Sequence, residues 1–235
     1  GHRAVQNSWS SAGKPRRVAA DLASASVDEL VGLQKHRNEW FARRARRLLQ
    51  ERAASGHDMS AAHAALRRSF AAREEPVTTR LRALWALFVT GGVDAGWLVA
   101  QIDDPNEHVR HWALRLLADA GQIETAATTR IASRATVESS WLCRLALASL
   151  LSRADAEARW KIGSALARNL RAGDDVNLVR LLWFGWHDAV AAHGRESLEL
   201  AGQLNHPRLI EWIARRVAEH AKRAPALIPL LVATI

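Results

Sequence analysis

The chain has one cysteine, one methionine and no tyrosine, and its lysines are only Lys14, Lys35, Lys161 and Lys222. With Cys143 alone, no intrachain disulfide, Cys-x-x-Cys zinc site or C-x-x-C-H haem attachment can form within these 235 residues. No apolar run reaches the roughly 18 residues of a membrane-spanning helix, and the N-terminus lacks a signal-peptide core. There is no nucleophile elbow, no phosphate-cradling glycine loop and no carboxylate pair with a reason for a raised pKa. Catalysis therefore has no visible seat, and no cofactor is expected in this chain.

What is present is arginine, alanine, leucine and ten tryptophans. Lys plus Arg number 33 against 24 Asp plus Glu, a net charge of +9. Gathered on one face, that excess would attract anionic partners, and counterion release alone supports non-specific nucleic-acid binding at low salt. Charged helix faces are ordinarily just solvated, however.

Residues 1–25 carry no sustained period and read as a tag remnant, Gly1-His2, followed by a linker. Ser26 and Glu29 form the S-x-x-E capping box ahead of Val27, Leu30 and Leu33. From there apolar residues recur at helical spacing, with stops at Gly56, Pro76, Gly91-Gly92, Asp104-Pro105, Gly121, Gly173 with Asp174-Asp175, His193-Gly194 and Pro207. No period-2 strand pattern is seen. Residues 26–222 are expected to form one helical-repeat domain, and 223–235 the truncated start of a further helix or linker.

An internal repeat sets the architecture. "NEWFARRARRLL" (38–49) aligns without a gap on "NEHVRHWALRLL" (106–117), and "TRLRALWAL" (79–87) and "LCRLALASL" (142–150) fit the same frame. Ala45, Ala83, Ala113 and Ala146 share one register position, where a small side chain lets helices approach closely. The unit "WLVAQIDDPNEHVRHWALRLLADAGQI" (97–123), with its D-P-x-x-x-V-R-x-x-A core, resembles a HEAT repeat. The resemblance implies an all-α fold, a right-handed α-solenoid of about five or six HEAT-like helical hairpins. In such a unit Asp103 or Asp104 caps the second helix and pairs with Arg110, making a structural turn.

The stretch "HRNEWFARRARRLLQ" (36–50) is read as one helix on which Phe41, Ala45, Leu48 and Leu49 face the core. Arg43, Arg46 and Arg47 then form a flank, either solvated or a docking surface for a protein module, joined by His111 and Arg115 on the aligned helix. Arg80, Arg82, Arg110, Arg115 and Arg144 recur on second helices, which in HEAT arrays line the concave side, so a basic inner groove is an open alternative. Trp85, Trp112, Trp141, Trp183 and Trp212 sit in or beside leucine-rich stripes and are expected to fill inter-helix space rather than stack on a base or sugar. His108 and His111 stand at i, i+3 but lack a third ligand, so no metal site is expected. His187, Asp188 and His193 are read as a helix terminus, and Cys143 as inert packing.

Three further stretches, in order, resemble one bacterial family: "ELVGLQKHRNEWFARRARRLLQERA" (29–53), "LRALWALFVTGG" (81–92) and "DDVNLVRLLWFGW" (174–186). They are similar to the middle segment of large membrane-bound-dehydrogenase-like proteins that join a β-propeller, a HEAT array and a haem-c domain. The resemblance spans roughly 27–217 and implies a non-catalytic scaffold or interaction module. Its partners would be neighbouring modules of the parent chain, in a periplasmic or otherwise extracytoplasmic protein. A competing reading is a HEAT-like alkylpurine DNA glycosylase or nucleic-acid-binding solenoid, which needs an acidic residue in a cleft between exposed tryptophans. Asp188, near Trp183 and Trp186, is the residue it would use. A stand-alone protein-binding solenoid is the third.

Overall fold

The computed structural model describes residues 22–121, 123, 125–221, 227, 229, 231 and 232. Among them the regular structure is helical: twelve α-helices, three short 3-10 turns and one isolated bridge between Arg171 and Asn205. The chain divides between Asp94 and Ala95 into two compact units.

The first unit holds α1 (Val27–Gly32), α2 (Glu39–Ala54), α3 (Ser60–Ala71) and α4 (Val77–Val89). The capping box is formed as the sequence predicts. The Ser26 hydroxyl accepts from Glu29 N–H, and the Glu29 carboxylate accepts from Ser26 N–H, so two orphan donors are satisfied together. Helix α2 begins later than the sequence reading places it. Asn38 caps it through Trp40 N–H, leaving His36 and Arg37 outside the helix. Against α2 and α1 a core of Leu30, Leu33, Ala45, Leu48, Leu49 and Met59 closes. Leu22 and Ala25 belong to the same core, so the last residues of the expected linker are packed structure; residues 1–21 lie outside the described ones.

The second unit holds α5 (Ala95–Gln101), α6 (Glu107–Ala120), α7 (Thr125–Val137), α8 (Trp141–Leu150), α9 (Ala156–Arg168), α10 (Val176–Ala192), α11 (Gly194–Ala201) and α12 (Pro207–Ala221). Within it α5 packs on α6 and α7, α6 on α8, α7 on α9, α8 on α10, and α10 on α12, so that helices two apart in sequence meet repeatedly. In the first unit α1 meets α3 and α2 meets α4 in the same way. Ala45, Ala83, Ala113 and Ala146, the four residues of the repeat register, are all buried.

The aligned starts of α2 and α6 have the same local cause. Asn106, like Asn38, caps its helix through the N–H two residues on, and Glu107 and Glu39 follow in the first turn, where a negative charge favours the helix dipole. Gly91 and Gly121 end α4 and α6 with positive φ, which a glycine adopts without strain. The break between α7 and α8 has neither glycine nor proline and was not predicted. There the Glu138 carboxylate accepts from Ser140 N–H, and the Ser140 hydroxyl accepts from Cys143 N–H.

Candidate functional site

The eight residues singled out from the sequence fall into a turn and two helix flanks. At the turn, Arg110 is buried, but its carboxylate partner is neither Asp103 nor Asp104. Its Nη1 donates to the backbone carbonyls of Asp104, at 2.9 Å, and Pro105, at 3.0 Å. Its Nε and Nη2 donate to the two carboxylate oxygens of Glu138, at 2.9 and 2.8 Å. The expected aspartate pairing is thus corrected: Asp103 pairs with Arg130 at 2.7 Å, while Asp104 accepts from Asn106 N–H, the actual cap of α6. Glu138 was not singled out because it lies 28 residues on, at the far end of α7, beyond any local pattern.

Glu138 also accepts from Arg134, so one wholly buried carboxylate meets two guanidiniums and a backbone N–H. Burial pushes its pKa up, but the hydrogen bonds from Arg110, Ser140 N–H and Arg134 outweigh that and hold it below the usual carboxylate range. The Glu138 contacts in turn raise the pKa of Arg110. Arg144 and Asp174 repeat the device, with two parallel contacts of 2.8 Å. Burial raises Asp174, and Arg144 with the Arg171 N–H brings it below its ordinary value.

Arginines elsewhere in the chain are used to hold backbone carbonyls. Arg52 donates to the carbonyls of Ala23 and Ala25, Arg80 to Phe70, Arg82 to Gln34 and His36, and Arg159 to Leu151 and Ala154. Arg80 and Arg110 occupy one repeat position, three residues before Ala83 and Ala113, and both are buried. Of the five basic residues that could line an inner groove, only Arg115 is exposed. Arg82 adds an ion pair with Glu39. The groove alternative loses most of its charge to internal bonds.

On α2 the three flank arginines do not behave alike. Arg43 and Arg47 are exposed and pair with Glu39 and Glu51 along the helix. Arg46 instead lies with its guanidinium carbon 5.1 Å from the centroid of the Trp85 ring, and its Nη1 is buried without a hydrogen-bond partner. Burial lowers its pKa; Glu39 opposes this, and the neighbouring charges of Arg43 and Arg82 add to it. On α6, His111 is half-buried, with Nδ1 3.2 Å from the Leu142 carbonyl, and Arg115 stacks over Trp112 at 5.0 Å. Burial lowers the His111 pKa, the Leu142 carbonyl opposes this, and the charges of Arg115 and His108 add to the lowering. Arg46 and His111 are therefore corrected from flank residues to partly packed ones.

The tryptophans divide. Trp186 is fully buried and so is not one of the exposed tryptophans that the glycosylase reading needs beside Asp188, whereas Trp141 is 61% exposed and contradicts the packing expectation. Trp183 and Trp212 are half-buried and face each other, with centroids 5.6 Å apart and planes tilted by 44°. With Phe184, His187, Arg215, Arg216 and Glu219 they line a pocket of about 270 Å³ between α10 and α12. Phe184, 71% exposed, was missed by the sequence reading. The signal for it lay in the buried stripe of α10, since Leu178, Val179, Leu182, Trp186 and Val190 leave position 184 on the opposite face. Asp188 is exposed; Arg216 donates to its Oδ1 at 3.0 Å, and His187 Nδ1 lies 3.0 Å from the same oxygen.

Among the described residues no group of three or more metal-binding side chains is found, and no helix is long and apolar enough to cross a membrane. Comparison with known proteins matches no family model, no curated protein and no solved structure.

Proposed function

We propose that this chain is a non-catalytic scaffold, a right-handed HEAT-like α-solenoid that links or docks neighbouring modules of a larger exported, dehydrogenase-like protein. One observation carries the reading: four of the five arginines that could have lined a basic inner groove, Arg80, Arg82, Arg110 and Arg144, are engaged by backbone carbonyls and carboxylates. Charge engaged in that way holds helical hairpins together and is not offered to a polyanion from those positions. The repeated meeting of helices two apart and the burial of all four register alanines support stacked repeats. Arg43 and Arg47 on α2 and, separately, Arg115 on α6 remain exposed as docking residues for a protein module.

The glycosylase reading is kept as the alternative because Asp188 and Glu219 stand at or beside a pocket walled by two tryptophans. Against it, Asp188 is already bonded to Arg216. The test is DNA and RNA binding titrated across salt, with release of a methylated base from alkylated duplex followed in parallel. The scaffold reading expects weak binding that disappears by about 150 mM salt and no base release. Tight binding above that salt, or base release abolished by Asp188→Asn, would overturn it.

A further inference from the structure

We infer that the pocket between α10 and α12 binds a neutral pyranose ring, with Trp183, Trp212 and Phe184 covering the C–H face of the sugar and Arg216, Glu219 and His187 meeting its hydroxyls. The inference does not rest on the scaffold reading.

Three observations converge on that ligand. The first is aromatic surface kept at the boundary with water: Phe184 is mostly exposed on a helix whose opposite face is well packed, and beside it two indoles tilt toward one another. A flat ligand with one apolar face removes that surface from water.

The second is charge balance. Arg215 is bonded to Glu211 at 2.7 Å. Arg216 is bonded to Glu219 at 3.1 Å and to Asp188 at 3.0 Å. Both guanidiniums of the lining are thus engaged by carboxylates, and a phosphate would have to displace Glu211, Glu219 or Asp188 to reach one. A cationic ligand would in turn meet the two arginines of the lining. A hydroxyl both donates and accepts, and an Arg N–H beside a carboxylate oxygen supplies both complements with no net charge required.

The third is size. A pocket of about 270 Å³ falls below the roughly 300–1,000 Å³ that encloses drug-sized ligands, and suits a single ring. That ring can be a free sugar or one residue of a glycan. The base of a nucleotide would also stack, but its phosphate would have to displace the carboxylates that hold Arg215 and Arg216.

The experiment is saturation-transfer NMR on the 235-residue chain, using methyl β-glucopyranoside, methyl α-mannopyranoside, methyl β-galactopyranoside and cellohexaose as probes, with thymidine monophosphate and choline in parallel. At least one sugar should receive saturation on its ring C–H protons, with affinity in the roughly millimolar range. Phe184→Ala, which removes an exposed ring and should leave the fold intact by circular dichroism, is expected to weaken binding about tenfold. Trp141→Ala, an exposed indole elsewhere, is expected to leave it unchanged. Tighter binding of cellohexaose than of the monosaccharides would assign the site to a glycan chain, and equal binding to a free sugar. Absence of transfer to all four sugars, preference for thymidine monophosphate or choline, or full binding by a folded Phe184→Ala variant would overturn the inference.

Discussion

Gly163 lies so close to Trp186 that a β-carbon at residue 163 would sit 2.3 Å from Trp186 Cδ1. The indole is fully buried and rigid, so it cannot step aside as a flexible chain would. Gly163→Ala should gain roughly 1 kcal/mol of helix propensity and lose more to overpacking, typically about 1–3 kcal/mol. A net fall in Tm on thermal unfolding is expected. A variant as stable as the wild type would show that α9 and α10 can separate freely.

Removing Glu138 should be severe. Glu138→Gln preserves size but leaves Arg110 and Arg134 facing an uncharged amide inside the fold, a loss of about 3–5 kcal/mol for a broken buried pair. Because the carboxyl is held below its unfolded pKa of roughly 4.3, its stabilisation is fully present above that pH and is lost as pH falls through the folded value. Asp174 adds in the same direction. Urea unfolding from pH 7 toward acid should therefore narrow the gap between wild type and variant as the folded carboxyl titrates; a constant gap through that titration would contradict the assignment.

Arg110→Ala should cost more than the ~1 kcal/mol that an exposed aspartate pair would imply, since it strands a buried carboxylate and two carbonyls. Arg110→Lys should rescue little, because one ammonium cannot span both Glu138 and the turn. Chemical denaturation of both variants decides this. Near-complete rescue by lysine would reduce the residue to a point charge.

Ala113→Leu tests the repeat register. Ala113 is wholly buried on α6, and a larger side chain there should overpack the core by about 1–3 kcal/mol. Wild-type melting would mean that the alignment of 106–117 with 38–49 has no packing significance.

The flank arginines should separate by mutation. Arg43→Ala and Arg47→Ala are expected within about 0.5 kcal/mol of wild type, as for ordinary surface changes. Arg46→Ala should lose about 1 kcal/mol or more through its contact with Trp85. Equal effects at all three positions would return Arg46 to the solvated set.

The helical character and many helix ends were legible, because Pro76, Gly121 and Pro207 act through their own backbone geometry and the capping box at Ser26 acts over three residues; the Asn38 cap, though equally local, was missed. The break before α8 was not, since it depends on a carboxylate that Arg134 and the distant Arg110 together hold in place. Arginine destinations were also hidden. A carbonyl is the same acceptor at every residue, so nothing in the sequence marks Ala23, Gln34 or Asp104 as the target. The pocket needed α10 and α12 to be brought together; Trp183 and Trp212 lie 29 positions apart and each looks like a core residue alone.

The use of arginine on carbonyls bears on which denaturant can measure this protein. Guanidinium chloride presents to Asp104, Pro105, Gln34 and Ala25 the same planar donor that Arg110, Arg82 and Arg52 already supply. It therefore competes at the turns themselves, in addition to solvating the exposed chain, whereas urea brings no cation to the carboxylates of Glu138 and Asp174. Its ions also screen charges that urea leaves bare. Free energies extrapolated from the two agents should disagree here, with guanidinium reporting the lower value, and the disagreement should shrink in variants from which the arginine bonds have been removed.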